Sequence, residues 1–399
     1  GVKRYNFRMN LSTVYKKLKV TANLSYARNE IKDHSYSTGT LIVDAERTPP
    51  LYQMKDSAGR YLINDVLNQF NPLGILDKGG YRHYDNDDLF GTITGELTLA
   101  KGLTLKGVFG GTLDANHEFW ATDYVPFFRP GGTDTAGFYG SPYGSSAGDN
   151  NTKNVMLNTQ LILQYARTIG KHDFLIMGGY TTESYTNKTN HFQIDTLTSD
   201  LLLPQASSEP VSNLSLSPYN TDQRALNSFI GRATYSYAGK YYFESDFRAD
   251  GSSVFAANHR WGYFPSISGG WLINKENFFQ NSRLANIFDL LKLRASYGIL
   301  GSQNVQNSYL YQTTYFIFSN AYAFNNTPVP GTGYNTANPD LQWETAHTFN
   351  IGTDIAAFHN KLTASFDYFH KLTTNILQTP TLPGTYGGNN VDFNIASVR

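Results

Sequence analysis

The chain has 399 residues, with 32 Lys+Arg against 32 Asp+Glu and a formal net charge of zero. That balance argues against a nucleic-acid binder, which carries a basic excess. With no cysteine, 28 Tyr, 26 Phe and 35 Gly, disulfide scaffolds, thiolate zinc sites and cysteine nucleophiles are excluded, while strands, tight turns and aromatic girdles are favoured.

Alternation of apolar and polar side chains at period 2, which puts one class on each face of a sheet, begins at once. Tyr5, Phe7, Met9 and Leu11 alternate with Arg4, Asn6, Arg8 and Asn10. After a turn near Tyr15-Lys16-Lys17, Leu18, Val20, Ala22, Leu24 and Tyr26 alternate with Lys19, Thr21, Asn23 and Ser25. A second hairpin follows, with Leu89, Ile93, Leu97 and Leu99, a turn at Ala100-Lys101-Gly102, and Leu103, Leu105 and Phe109. A third carries Val155, Leu157, Leu161 and Leu163, turns at Ile169-Gly170-Lys171, and returns through Phe174, Ile176 and Tyr180. A fourth places Phe229, Ala233, Tyr235 and Tyr237 before Ala238-Gly239-Lys240, and Tyr241, Phe243 and Phe247 after it. In the fifth, Ile267 and Trp271 lead into a longer connector, about 274–290. A short amphipathic helix is expected there, with Phe278, Leu284, Ile287 and Phe288 on one side. The sixth runs through Phe349, Ile351 and Ile355, turns near His359-Asn360-Lys361, and returns through Leu362, Ala364, Phe366 and Tyr368.

Six hairpins make about twelve strands of about 9–14 residues, enough to cross a bilayer at a tilt. The connections between them, about 30–86, 114–153, 183–226, 249–262 and 300–341, are much longer and rich in Gly, Pro, Asn and Ser. Short turns on one side and long loops on the other are the asymmetry of an outer-membrane barrel. Arg8, Glu96, Arg232, Asp246 and Arg294 all fall on the face opposite the apolar one. A dry core would not tolerate that row, because burying unpaired charge is costly; a water-filled lumen accepts it. The expected fold class is therefore all-β, a transmembrane antiparallel β-barrel. No run of about 18 apolar residues predicts a transmembrane helix, and no domain boundary interrupts the pattern. The chain starts Gly-Val-Lys-Arg, so a signal peptide is expected upstream.

Several stretches resemble the SusC/RagA-like family of TonB-dependent receptors. The longest carries Phe229-Ile230-Gly231-Arg232-Ala233-Thr234-Tyr235-Ser236-Tyr237, then Arg248-Ala249-Asp250-Gly251-Ser252-Ser253-Val254-Phe255. Trp261-Gly262-Tyr263-Phe264-Pro265-Ser266 and Leu291-Lys292-Leu293-Arg294-Ala295-Ser296-Tyr297-Gly298 complete it. A second match is Asn338-Pro339-Asp340-Leu341-Gln342-Trp343-Glu344, and a weaker one pairs Pro49-Pro50-Leu51-Tyr52 with Asn71-Pro72-Leu73. The resemblance implies a 22-stranded barrel with an N-terminal plug, a TonB box and a SusD-like surface lipoprotein over the pore. Residues 1–399 are then expected to be one part of such a barrel domain, with the plug and the C-terminal strands not present. The implied function is TonB-dependent import of an oligosaccharide or peptide through the outer membrane of a Gram-negative, Bacteroidetes-type bacterium.

No cofactor or metal is expected. His-Glu-x-x-His, Gly-x-Ser-x-Gly and P-loop motifs are missing, and the nine His lack ligand spacing. Asp85-Asn86-Asp87-Asp88 lacks the spacing of an EF-hand and reads as a solvated turn. Asp250-Gly251-Ser252-Ser253 also reads as a turn. The candidate ligand-binding residues lie in the loop around Trp120, Tyr124, Phe127, Phe128, Arg129, Tyr139 and Tyr143. Their rings can stack on sugars or grip peptide side chains, or pack the loops and meet a partner protein; the sequence leaves both open. Two other functions stay in view: an outer-membrane barrel enzyme such as a protease or lipase, and a passive porin or adhesin.

Overall fold

The computed structural model describes residues 1–63, 71–197, 220–303, 305, 308–381, 383–386 and 390–399. In chain order the elements begin with β1 (Val2–Tyr15), β2 (Leu18–His34), α1 (Thr38–Arg47) and α2 (Pro72–Lys78). Next come β3 (Gly80–Ala100), β4 (Leu103–Thr122), β5 (Val125–Phe128), β6 (Thr135–Tyr139), β7 (Ser145–Ile169) and β8 (His172–Leu197). After β9 (Asn220–Tyr237), β10 (Tyr241–Ser252) and β11 (Trp261–Leu272), α3 (Asn277–Gln280) precedes β12 (Phe288–Ser302). Last are β13 (Thr314–Phe324), β14 (Thr327–Asn335), β15 (Glu344–Ala357), β16 (Leu362–Gln378) and β17 (Phe393–Val398). Thirteen of these strands form one antiparallel sheet in the order β1-β2-β3-β4-β7-β8-β9-β10-β11-β12-β15-β16-β17; β5-β6 and β13-β14 are separate hairpins in the connections.

The register aligns the apolar alternation from strand to strand. Leu89 faces Leu113, which faces Val155, and Leu161 faces Tyr180, which faces Phe229. A slip of one residue would turn each set to the other face, so this pairing produces one continuous apolar surface. That surface is open: Ile93 is 56% exposed, Ile176 59% and Phe366 63%. Rings edge it at two heights. At the short-turn end, Phe174, Tyr235, Tyr237, Tyr241 and Trp271 run across four strands, with Tyr237–Tyr241 centroids 6.3 Å apart and Tyr241–Trp271 6.4 Å. Toward the loops, Tyr180, Phe229 and Trp261 repeat the arrangement at 5.3 and 6.0 Å. Trp261 and Trp271 bound β11, about 33 Å apart along the strand, or roughly 23 Å along the normal at a tilt of about 45°. That is close to the apolar height of an outer-membrane barrel.

The tight turns fall where the alternation breaks. Gly102 shows why one of them needs glycine. Its φ is +81°, and a Cβ there would lie 2.2 Å from the backbone oxygen of Ala166 on the neighbouring strand. A side chain would meet both a left-handed backbone and a wall.

The structure departs from the sequence reading in five places. The sheet has thirteen strands, not twelve, because β17 adds to β16. The strands are longer than expected, up to 26 residues in β8. Beyond the apolar band the ladder continues in polar sequence, since backbone pairing needs no apolar face when water covers both sides. Asp85-Asn86-Asp87-Asp88 is consequently not a turn but part of β3. There Arg28 of β2 reaches Asp85 at 3.1 Å and Asp87 at 3.4 Å, and the Tyr26 hydroxyl donates to Asp87 at 2.5 Å. Asp250-Gly251-Ser252 likewise ends β10 as paired strand, with Gly251 opposite Trp261. The glycine is needed for space: a Cβ would come within 2.9 Å of the Trp261 ring. Finally, the connector after β11 is not one amphipathic helix. It is two 3-10 turns flanking the four-residue α3, and the residue it buries is Phe279, while Phe278 and Leu284 stay exposed. The sequence-predicted connections at 64–70, 198–219, 304 and 306–307 lie outside the described residues.

Candidate functional site at the loop end of the sheet

At the loop end two small cores are built from connections. One gathers Leu41 of α1, Ile63, Ile75 of α2, and Val125 and Phe127 of β5. Asn71 organises it. Its side-chain oxygen accepts the Gly74 backbone N–H at 3.0 Å, capping α2, while its amide donates to the carbonyls of Met54 and Leu62, each at 2.8 Å. A buried amide so completely partnered fixes the chain around it, and Pro72 at the first helical position suits the same start. The Asn71-Pro72-Leu73 motif is thus a structural corner. Around this core Lys55 donates to Asp77 at 3.0 Å, and the Tyr61 hydroxyl does so at 3.1 Å. The lysine contact is the main cause that holds the Asp77 carboxyl below its usual range.

The second core packs Val254, Phe255, Phe264, Val305, Leu341 and Trp343. The Trp343 indole N–H donates to the Arg260 carbonyl at 3.0 Å, and Asn338 donates to the Asp392 carbonyl at 2.8 Å. The Asn338–Glu344 motif therefore ties the last connections together.

The candidate binding residues divide. Phe127 is fully buried in the first core. Tyr139 is half-buried, its hydroxyl donating to Ser35 at 3.1 Å and its ring edge-on to Tyr36. Both pack the loop module. The Trp120 ring lies over Gly148 of β7, where a Cβ would meet it at 2.5 Å. Tyr124 leans on Phe138 with centroids 5.9 Å apart, and the Arg60 guanidinium covers the Phe128 ring at 4.8 Å. Arg129 is exposed and Tyr143 is 83% exposed. These last two are the open side chains of the set, and Trp120 and Tyr124 remain half-buried.

The face opposite the apolar one carries ion pairs set by the register. Arg232 meets Asp246 at 2.8 Å and also Glu244. Arg294 meets Asp354 at 3.2 Å and Asp367 at 2.6 Å, and donates to Ser365 at 3.1 Å. Arg232 is held by two carboxylates of the neighbouring β10, and Arg294 by one on β15 and one on β16, so no arginine of this set is left as isolated charge. Beside them lies a concavity of about 530 Å³ bordered by Asp173, Glu244, Lys292, Arg294 and Asn350. The sequence showed which face is charged, but not these partners, which only the strand order brings together. Among the described residues no group of three or more His, Asp or Glu is placed to hold a metal.

A family model described as "TonB dependent receptor-like, beta-barrel" matches residues 5–399. The TonB-dependent receptor SusC of Bacteroides thetaiotaomicron is 27% identical over the whole of this chain and 41% of its own length. The TonB-dependent receptor P3 of Formosa agariphila is 28% identical over 90% of this chain and 34% of its own length. Among solved structures, that of the RagAB peptide transporter superposes with a TM-score of 0.79 at 24% identity, covering 99% of this chain and 43% of the matched one. The chain spans between about a third and about two fifths of the length of these relatives, so its thirteen-stranded sheet corresponds to one arc of a larger wall. With an exposed apolar face, a charged face of mutually paired side chains and a family match from end to end, the chain belongs to the TonB-dependent receptor-like β-barrel family.

Proposed function

We propose that this chain forms part of the wall of an outer-membrane transporter that imports an oligosaccharide or a peptide. The observation that carries the reading is the two-faced sheet. Its apolar, ring-edged face suits lipid, and its inward face is polar and internally ion-paired, as a wall around an aqueous path must be. A plug and TonB box elsewhere in the protein would couple opening to an inner-membrane TonB complex. A SusD-like lipoprotein would meet the loop end. Arg129, Tyr143, Trp120 and Tyr124 are the proposed substrate contacts on the first loop module. No covalent step is required of any residue described above, which agrees with relatives that are receptors and transporters rather than enzymes.

The test is uptake of labelled oligosaccharides and peptides by the host with the gene deleted and restored. The expected result is loss of one nutrient class on deletion, and the same loss when TonB is removed. Uptake that persists without TonB would favour a passive porin instead. Turnover of substrate by the purified protein would favour an enzyme.

A further inference from the structure

Beyond the end of β10, β9 continues with no strand paired to it on that side among the described residues. The last paired residue of β10 is Ser252, opposite Leu226, whereas β9 extends to Asn220 against β8. Tyr309 and Tyr311, in the connection after β12, lie over the vacant edge, and the Tyr309 hydroxyl donates to the Gln223 carbonyl at 3.3 Å. Between them is a cavity of about 490 Å³ lined by Tyr185, Gln223, Asn227, Arg260, Tyr309 and Tyr311, among others. Three tyrosines, two amides and two arginines around one opening give rings to stack on and donors to aim, the composition of a small-molecule site.

Its charge is one-sided. The lining includes two arginines and no carboxylate. Arg224 is neutralised, since its guanidinium pairs with Asp222 at 3.0 Å and donates to Ser308 at 2.8 Å. Arg260 is not. It is half-buried, its Nε is buried without a hydrogen-bond partner, and among the described residues its side chain makes no ion pair. An adjoining smaller cavity of about 300 Å³ shares Tyr185 and Arg224 and is bordered by the Glu183 carboxylate, which disfavours an anion there and directs it to the larger space. A half-buried guanidinium that no carboxylate pairs is matched by a ligand carboxylate, which can take two parallel N–H bonds from an arginine.

We propose that this cavity is a subsite for a carboxylate-bearing substrate, anchored on Arg260 and stacked against the tyrosines. The carboxylate can belong to an acidic sugar of an oligosaccharide or to the C-terminus of a peptide. The proposal rests on the import reading and specifies one contact of it.

Binding to the full-length protein in detergent tests it, by calorimetry with four probes: a galacturonic acid trisaccharide, a galactose trisaccharide, and one tetrapeptide with a free or an amidated C-terminus. The expected result is that one acidic probe binds about ten- to a hundredfold more tightly than its neutral counterpart. The pair that discriminates names the source of the carboxylate. Arg260→Gln should abolish that preference, and Arg260→Lys should restore part of it. Equal binding within both pairs, or no binding by any probe, overturns the proposal without need of a variant, as does a preference that survives in Arg260→Gln. None of those outcomes touches TonB-dependent uptake by cells, so the subsite and the import reading fail separately.

Discussion

Ile176 and Phe127 are both large apolar side chains on strands, yet Ile176 is 59% exposed and Phe127 not at all. Ile176 sits on β8 between the ring rows that hold Phe174 and Tyr180, among apolar side chains that are also exposed. Phe127 sits on the four-residue β5, closed in by two short helices. The difference teaches that this molecule faces two solvents. At the height of the bilayer, lipid covers the apolar face and no second layer is needed; every backbone group must then be paired within the sheet, and the long ladders do this. Above the bilayer, water drives the loops to make ordinary cores, with their apolar side chains turned inward.

That contrast can be broken at the loops first. Phe127→Ala should cost the first loop core about 3–5 kcal/mol. Hydrogen exchange should rise across residues 35–63 and 123–144 while the ladders of β7 and β8 stay protected. Loss of protection in the whole sheet would show that the loop core and the wall are one cooperative unit.

A smaller effect is expected on the lipid side. Ile176→Arg should destabilise folding into vesicles by about 2–4 kcal/mol, the depth-dependent cost of a charge on that face. Thr234→Arg, on the ion-paired face next to Glu244, should change it little. Urea titration of the full-length protein in lipid distinguishes the two. A similar cost for both would mean that the faces have been assigned wrongly.

The smallest effect lies at the short-turn end, outside the apolar band. The Glu276 carboxylate accepts from the Tyr241 hydroxyl at 2.5 Å, the Lys240 ammonium at 3.0 Å and the Trp271 indole at 3.1 Å. These bonds, that of Tyr241 foremost, hold its pKa below the ordinary 4.5. A depressed folded-state pKa gives stability that is complete above 4.5 and lost as pH falls through the folded value. Trp271 fluorescence should therefore be flat from neutral pH down to about 4.5 and change below it, and Glu276→Gln should remove that acid transition. A transition centred above pH 5 would refute the assignment.

The sequence by itself determined the sheet, its two faces and the tight turns of its hairpins. Alternation at period 2 is a local property, and Gly102, Gly170 and Gly239 mark breaks that any register must respect. It also showed that a loop rich in rings lies around Trp120–Tyr143. The tertiary structure alone decided which rings are available. Phe127 and Tyr139 are of the same residue types as Phe128 and Tyr143, and their burial depends on α1, α2 and Ser35, far away in sequence. The same holds for Asp85–Asp88, whose strand is set by Arg28 across the ladder, and for Phe279, which is buried in place of Phe278 because the connector breaks into three short turns. The cavity at Arg260 is the clearest case. It exists because β10 ends before β9 and a later connection covers the gap, and relative strand length and loop path are fixed by long-range packing that no local pattern encodes.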